Sequence, residues 1–467
     1  MIGTFPEGSS KVRVLRGIVS RRPGLLVSAA LRRVTGPMLA GAAAVAIAAI
    51  LDHAVLHVGF NAFLLGPIAL IAGTVAVVLG ASQPDQHLHH LTTEDHAELY
   101  ALVHDVADAL AVRRPRRISV WAQPDSVAVR PLPWRSELWL GLPFLTEMSS
   151  DELRTVIAHE LTLLKLRRSC LVNAALSFLH EEAPRGGGLP VEIEMLAVAA
   201  IKEADAAAVS IAGERVTTAA LRRGGLISCS FTWFAVRYAW PMAGLRWYPS
   251  DLYVGWRWKV HHDDLHGRFV RHLLGDERPF SMKARITVIG GEQREALPVA
   301  AGVLPTGLPE EIEARLARAY LREALPAQYL KSVAFANLPD TIWDAVLEQQ
   351  LVDVLAAVAR VLNKATVAPR DILDIVLTGR AREITWDHRD WLCTHSTPEV
   401  CVLFPLLHHA LRSGGYRYEH PLRQRLLVSD DGRRVDVVAL AEQVAGGGPV
   451  PDWLRLGGES PNLSRRS

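Results

Sequence analysis

Residues 155–165 read Thr-Val-Ile-Ala-His-Glu-Leu-Thr-Leu-Leu-Lys, with His159 and Glu160 at the centre. In a helix, the pattern H-E-x-x-H sets two imidazoles at i and i+4 on one face, where they hold zinc while the Glu acts as general base on a metal-bound water. Here the second His position is Leu163, whose side chain cannot bind a metal. A catalytic zinc takes three protein ligands and a water. A single imidazole holds it weakly, and without a metal-bound water Glu160 has no acidic proton to remove.

The flanks supply what must position these residues. Ser149-Ser150-Asp151-Glu152-Leu153 has the composition of a helix start, with a Ser or Asp cap and acid in the first turn. Leu153, Val156, Ile157, Leu161 and Leu164 then recur at helical spacing. Upstream, 137–142 (Glu-Leu-Trp-Leu-Gly-Leu) reads as a short strand. The order is strand, short loop, capped helix, His-Glu.

This order resembles the HtpX-like and CAAX-prenyl-protease-like family of membrane-integrated zinc metalloendopeptidases. Their active-site helix reads H-E-L-G-H-x-K, against His159-Glu160-Leu161-Thr162-Leu163-Leu164-Lys165 here. The family's third ligand is the Glu of E-x-x-A-D on a second helix. This chain has Ala204-Asp205 in that register, and the ligand position falls on Ile201. The resemblance implies that Asp205 orients a ligand His, that His159 is a retained ligand position, that Leu163 and Ile201 are lost ones, and that Glu160 stands idle at the general-base position. It extends to 87–111 as an amphipathic helix, 117–121 as a strand, 125–129 where the family has N-A-x-A, and 279–286, where H-P-x-x-x-x-R-I lacks its His but keeps Arg285-Ile286. It covers about residues 30 to 290 and is strong in order and spacing, poor at the ligands.

The fold class expected is mainly α with a small β-sheet: an N-terminal transmembrane helical hairpin, a gluzincin-like metallopeptidase domain and a C-terminal α/β region. With 467 residues, two or three units are expected. Residues 1–35 form a basic N-terminus, 36–82 the two-helix hairpin, 83–295 the metallopeptidase-like domain, 296–456 a helical region with a β-hairpin, and 457–467 a disordered tail. The apolar runs 38–51, resumed to 60, and 63–81 each approach the ~20 residues needed to cross a bilayer. Lys11, Arg13, Arg16, Arg21, Arg22, Arg32 and Arg33 precede the first run and no Lys or Arg stands between the two. The positive-inside rule then puts the N-terminus and the main domain in the cytoplasm of a multi-pass cell-membrane protein. A net charge of +2 offers nothing for nucleic acid. Cys170, Cys229, Cys393 and Cys401 lie far apart without C-x-x-C, which fits a reducing compartment.

Other clusters have a bland reading beside a functional one. His87, His89, His90 and His96 form a metal or pH site, or a solvated helix start. His261, His262, Asp263, Asp264 and His266 form a metal site, or an exposed face. Trp233, Trp240, Trp247, Trp256 and Trp258, with Tyr238, Tyr248 and Tyr253, form core packing, a membrane-interface belt or a peptide groove. Trp233, Trp240 and Trp247 recur every seven residues, as on one helical seam that Pro241 interrupts. His180, Glu181, Glu182, Glu192 and Glu194 are candidate substitute ligands. After 292, prolines and glycines make a linker, 309–337 and 341–363 read as helices, and 425–437 reads as a hairpin with an Asp-Gly turn.

The function expected is that of a pseudopeptidase, binding a polypeptide or membrane-protein partner, with zinc implied by the family and absent or weak. Two alternatives stand beside it: an active zinc metalloendopeptidase with substitute ligands that cleaves membrane or misfolded proteins, and a scaffold whose C-terminal region does the work. Whether the chain is an enzyme stays open at this point.

Overall fold

The computed structural model describes residues 88–132, 135–167, 172, 175–176, 191–262, 281–290, 302–304, 307–324, 329–384 and 397–449. The chain starts with strand β1 (Leu88–His90), helix α1 (Ala97–Ala109) and strands β2 (Arg117–Trp121), β3 (Ser126–Leu132) and β4 (Arg135–Gly141). These form one sheet in the order β1-β2-β4-β3. β2 runs parallel to β4, and the edge strands β1 and β3 run antiparallel to their neighbours. The histidine run at 88–90, read as a helix start, is therefore strand. His90 Nδ1 lies 2.7 Å from the hydroxyl of Ser119 on β2.

The strand of 137–142 and the capped helix are both present, and the loop between them is itself a helix. β4 ends at Gly141, where a Cβ would sit 2.3 Å from the Gln123 carbonyl oxygen, so only glycine fits. The buried α2 (Leu142–Glu147) follows with Pro143 in its first turn, then α3 (Ser150–Leu166). Ser149 caps α3: its Oγ accepts the Glu152 N–H at 3.3 Å while the Glu152 carboxylate accepts the Ser149 N–H at 2.9 Å, a reciprocal capping box. Arg223 Nε donates to the other Glu152 oxygen at 2.7 Å, with both side chains almost fully buried. The start of α3 is thereby tied to the helix behind it.

Helices α4 (Val191–Ala212) and α5 (Glu214–Phe234) pack on α3. A π-helical segment, Ala235–Ala239, follows before α6 (Trp240–Gly244). The seven-residue tryptophan spacing is thus not one seam: Trp233, Trp240 and Trp247 fall on α5, α6 and β5 (Trp247–Pro249). The aromatics are core. Tyr238, Tyr253 and Trp256 are 1 %, 0 % and 1 % exposed, and the other tryptophans of the cluster pack against them half-buried.

After α7 (Leu252–His262), α8 (Met282–Ile289) and α9 (Glu310–Ala324), the helix expected over 309–337 has already ended. The helix is described to Ala324, and 331–333 within the expected span is strand. β6 (Lys331–Val333) follows and pairs in parallel with β5. α10 (Asp340–Leu362) belongs to two cores. The first core, built on the four-stranded sheet, runs through α9 and β6 to Val346, past the 295/296 boundary drawn from composition, and the second begins at Leu347. The second core collects α11 (Pro369–Leu377), α12 (Pro398–Ser413), a small antiparallel sheet of β7 (Arg417–Tyr418), β8 (Leu426–Val428) and β9 (Arg434–Asp436), and α13 (Val437–Ala445). The 425–437 hairpin is there, with Gly432 at φ +83° in its turn.

Two sequence expectations need correction. Among the described residues no helix is long and apolar enough to cross a membrane, so the described fold is mainly helical with small sheets and contains no transmembrane hairpin. The hairpin placed at 36–82, the basic N-terminus and the 457–467 tail lie outside the described residues. The reading of the cysteines also changes. Cys229 is a free thiol, whereas Cys401 on α12 is in a disulfide whose other half lies outside the described residues.

Candidate functional site

His159 and Glu160 lie on α3, Asp205 on α4 and Arg285 on α8. The three helices bring them to one cleft of about 290 Å³. Phe144, Val156, Leu221 and Met282 give it apolar walls, and Thr155, Thr217 and Ser228 contribute hydroxyls. Gly224 and Gly225 of α5 line it as well. Glycine inside a helix costs ~1 kcal/mol relative to alanine. At Gly224 a Cβ would come within 3.2 Å of the Met148 methyl, which would have to give by a few tenths of an ångström.

The structure brings His159 and Asp205 together. His159 Nδ1 donates to Asp205 Oδ1 at 3.0 Å. Asp205 also accepts Arg285 Nε at 3.0 Å and Arg285 Nη2 at 2.6 Å, a bidentate pair. Arg285 Nη2 stands 3.3 Å from the same His159 nitrogen. Nδ1 cannot give its proton to the carboxylate and also accept one from the guanidinium, and the shorter contact to a buried anion decides for donation. That tautomer leaves the lone pair on Nε2. Burial pushes the Asp205 carboxyl upward, but the His159 and Arg285 donors outweigh it and hold the group well below the usual carboxylate range. Asp205 is 4 % exposed and stays an anion.

The two remaining ligand positions point to a different environment. Leu163 is buried in a cluster with Val172, Ala175, Leu176, Ala197, Ala200 and Ala204, and Ile201 packs against the same cluster. The faces of α3 and α4 that the resemblance assigns to a second His and a Glu therefore meet, but as hydrocarbon against hydrocarbon. Zinc does not fit this donor set. Only His159 of the three ligand positions carries a lone pair, and among the described residues no three His, Cys, Asp or Glu side chains converge on one point.

Of the candidate substitute ligands, His180, Glu181 and Glu182 lie outside the described residues, and Glu194 on α4 does not line the cleft. His261 Nε2 is 3.5 Å from Glu147 Oε1, and His262 Nδ1 bonds the Trp258 carbonyl at 2.8 Å, so each of these imidazoles is already engaged. Sequence reasoning missed Arg285 as a site residue. Its signals were the match to the R-I pair and the serine before α8, whose hydroxyl caps that helix by accepting the Ala284 N–H at 3.3 Å. Comparison with family models, curated proteins and solved structures gives no match.

Proposed function

We propose that this chain is a metallopeptidase-like protein that binds polypeptide in the His159 cleft without cleaving it. The observation that carries the reading is the fate of the three ligand positions. Leu163 and Ile201 share an apolar cluster, and His159 is tied through Nδ1 to an Asp205 already neutralised by Arg285. Glu160 faces the cleft, but the family's chemistry needs a metal to acidify the water and polarise the scissile carbonyl as well as a carboxylate base, and a lone carboxylate supplies only the last of these. What remains is a cavity with apolar walls, a Nε2 acceptor and a fixed ion pair, chemistry that suits holding a peptide's side chains and backbone.

The test is zinc content of the purified full chain after dialysis without chelator, for the wild type and for Leu163→His/Ile201→Glu. Little zinc in the wild type and near-stoichiometric zinc in the double variant support the reading. Stoichiometric zinc in the wild type overturns it and returns the protein to the class of active zinc endopeptidases with substitute ligands.

A further inference from the structure

The segment between β7 and β8 joins the two cores. Leu422, 2 % exposed, belongs to the first core although it follows the helices of the second in sequence. Its carbonyl accepts Tyr238 Oη at 3.1 Å and Lys259 Nζ at 2.6 Å, both donors buried. Two residues earlier, the His420 ring stacks on Trp258 at 4.2 Å and 12°. His262 stacks on the same indole at 4.4 Å and 16°, and the Arg423 guanidinium lies 5.4 Å from it. On the other side of the segment, His408 of α12, 1 % exposed, stacks on Tyr418 at 5.4 Å and is hydrogen-bonded by the Gln424 backbone.

This arrangement needs His420 neutral. Its Nδ1 accepts the Leu422 N–H at 3.1 Å, so the ring proton sits on Nε2. A second proton on Nδ1 would set N–H against N–H and remove the bond that shapes the turn around Leu422. The groups facing His420 are Arg423 and Glu419 of its own segment and Lys259 and His262 of α7. Glu419 is drawn away by Arg434 of β9 at 2.8 Å. The groups facing His408 are Asp344 of α10 and Arg412 and His409 of α12, and Asp344 is already held by Arg412 through two 2.7 Å bonds. Around His420 the cations Arg423 and Lys259 outnumber the one acid, Glu419, whereas around His408 Asp344 and Arg412 pair with each other.

We propose that residues 419–425 form an acid-released clasp between the two cores, opened when protonation of His420 breaks its bond to Leu422 and sets an imidazolium beside Arg423 and Lys259. Burial, then Arg423 and Lys259, hold His420 below the ordinary histidine value of 6.5, and burial holds His408 down to about 3. Both rings are therefore neutral when docked, and the undocked state takes up protons first. The clasp is at full strength above pH 6.5 and weakens as pH falls below it, the opening constant rising by up to about tenfold per pH unit for each ring.

The test is hydrogen exchange of the full chain at pH 7.5, 6.5 and 5.5, with times rescaled for intrinsic rates, read on peptides covering 416–428 and 252–262. Both regions should lose protection at pH 5.5, while 150–166 does not. In His420→Asn the amide oxygen accepts the same N–H but cannot be protonated, so the loss of protection at pH 5.5 should be smaller than in the wild type by the contribution of that one ring. Arg423→Ala removes a cation that disfavours the protonated ring in the docked state, so its loss of protection between pH 7.5 and 5.5 should be smaller than in the wild type. Unchanged wild-type protection at pH 5.5 overturns the proposal, as does loss in His420→Asn in step with the wild type. Should His420→Asn be undocked already at pH 7.5, the Arg423→Ala profile decides, and a loss between pH 7.5 and 5.5 as large as the wild type's overturns the clasp.

Discussion

Replacing Asp205 with Asn tests the centre of the site. The carboxylate receives three N–H bonds, from His159 Nδ1 at 3.0 Å, Arg285 Nε at 3.0 Å and Arg285 Nη2 at 2.6 Å. Asparagine keeps the shape but offers one oxygen, and its NH₂ would face a donor. At least one N–H is then orphaned and the guanidinium loses its counter-ion. Removing one partner of a buried pair costs ~3–5 kcal/mol. The Arg285 side chain is 23 % exposed, so water relieves part of that, and the expected loss is about 2–4 kcal/mol. The carboxyl titrates below its ordinary 3.8 in the folded protein. The stabilisation from its own ionisation is therefore present above about pH 4 and is lost as pH falls through the folded value, so this part of the gap between wild type and variant should close only in strong acid. Urea denaturation, with exchange protection of 191–212 as a local readout, measures it. A gap below about 0.5 kcal/mol at pH 7 would refute the account of Asp205 as a buried, fully ionised anchor.

Further outcomes follow from the same contacts. Leu163→His alone places an unpartnered imidazole in hydrocarbon and removes a well-packed leucine, which should cost about 3–5 kcal/mol in thermal or urea unfolding; a neutral result would mean that the cluster yields easily. Arg223→Ala strands the buried Glu152 carboxylate and should cost about 3–5 kcal/mol, while a double variant with Glu152→Gln should be less affected than the sum of the two singles. Burial pushes the Cys229 thiol up to about 11, so alkylation of the folded protein at pH 8 should leave it unmodified. Cys401 should be labelled only after reduction, and mass mapping of either cysteine as a readily labelled thiol contradicts the structure.

How much of this was legible depends on whether local rules sufficed. The Ser149–Glu152 capping box, the α3 periodicity, the strand at 117–121 and the 425–437 hairpin are decided within a few residues, and the chain states them openly. The strand at 88–90 was not, because its polar histidines are tolerated only on an edge strand beside Ser119. The tryptophan spacing suggested one helix, and a π-helical segment at 235–239 with Pro241 just beyond it divided the pattern among three elements. Arg285 stands 80 residues from Asp205, and nothing local marks that pair. The disulfide at Cys401 was hidden for the same reason: spacing does not disclose partners brought together only by folding.

If the chain is the pseudopeptidase proposed above, apolar residues at both 163 and 201 have a physical logic that one alone would lack. A His at 163 facing Ile201, or a Glu at 201 facing Leu163, would bury a polar or charged side chain against Val172, Leu176, Ala197 and Ala200 with no partner, at a cost of ~1–3 kcal/mol or more. Once either ligand is apolar the other is a liability, and the stable states are both polar with a metal or both apolar without one. Asp205 faces no such choice, because Arg285 and His159 satisfy it whether or not a cation is bound at Nε2. On the proposed reading, the asymmetry separates the motif's positions: His159 and Asp205 have protein partners, whereas 163 and 201 would have had only the metal. It also orders the revertants. Leu163→His and Ile201→Glu should each be less stable than the wild type, and only the pair should recover stability when zinc is added, by RT ln(1 + [Zn]/Kd).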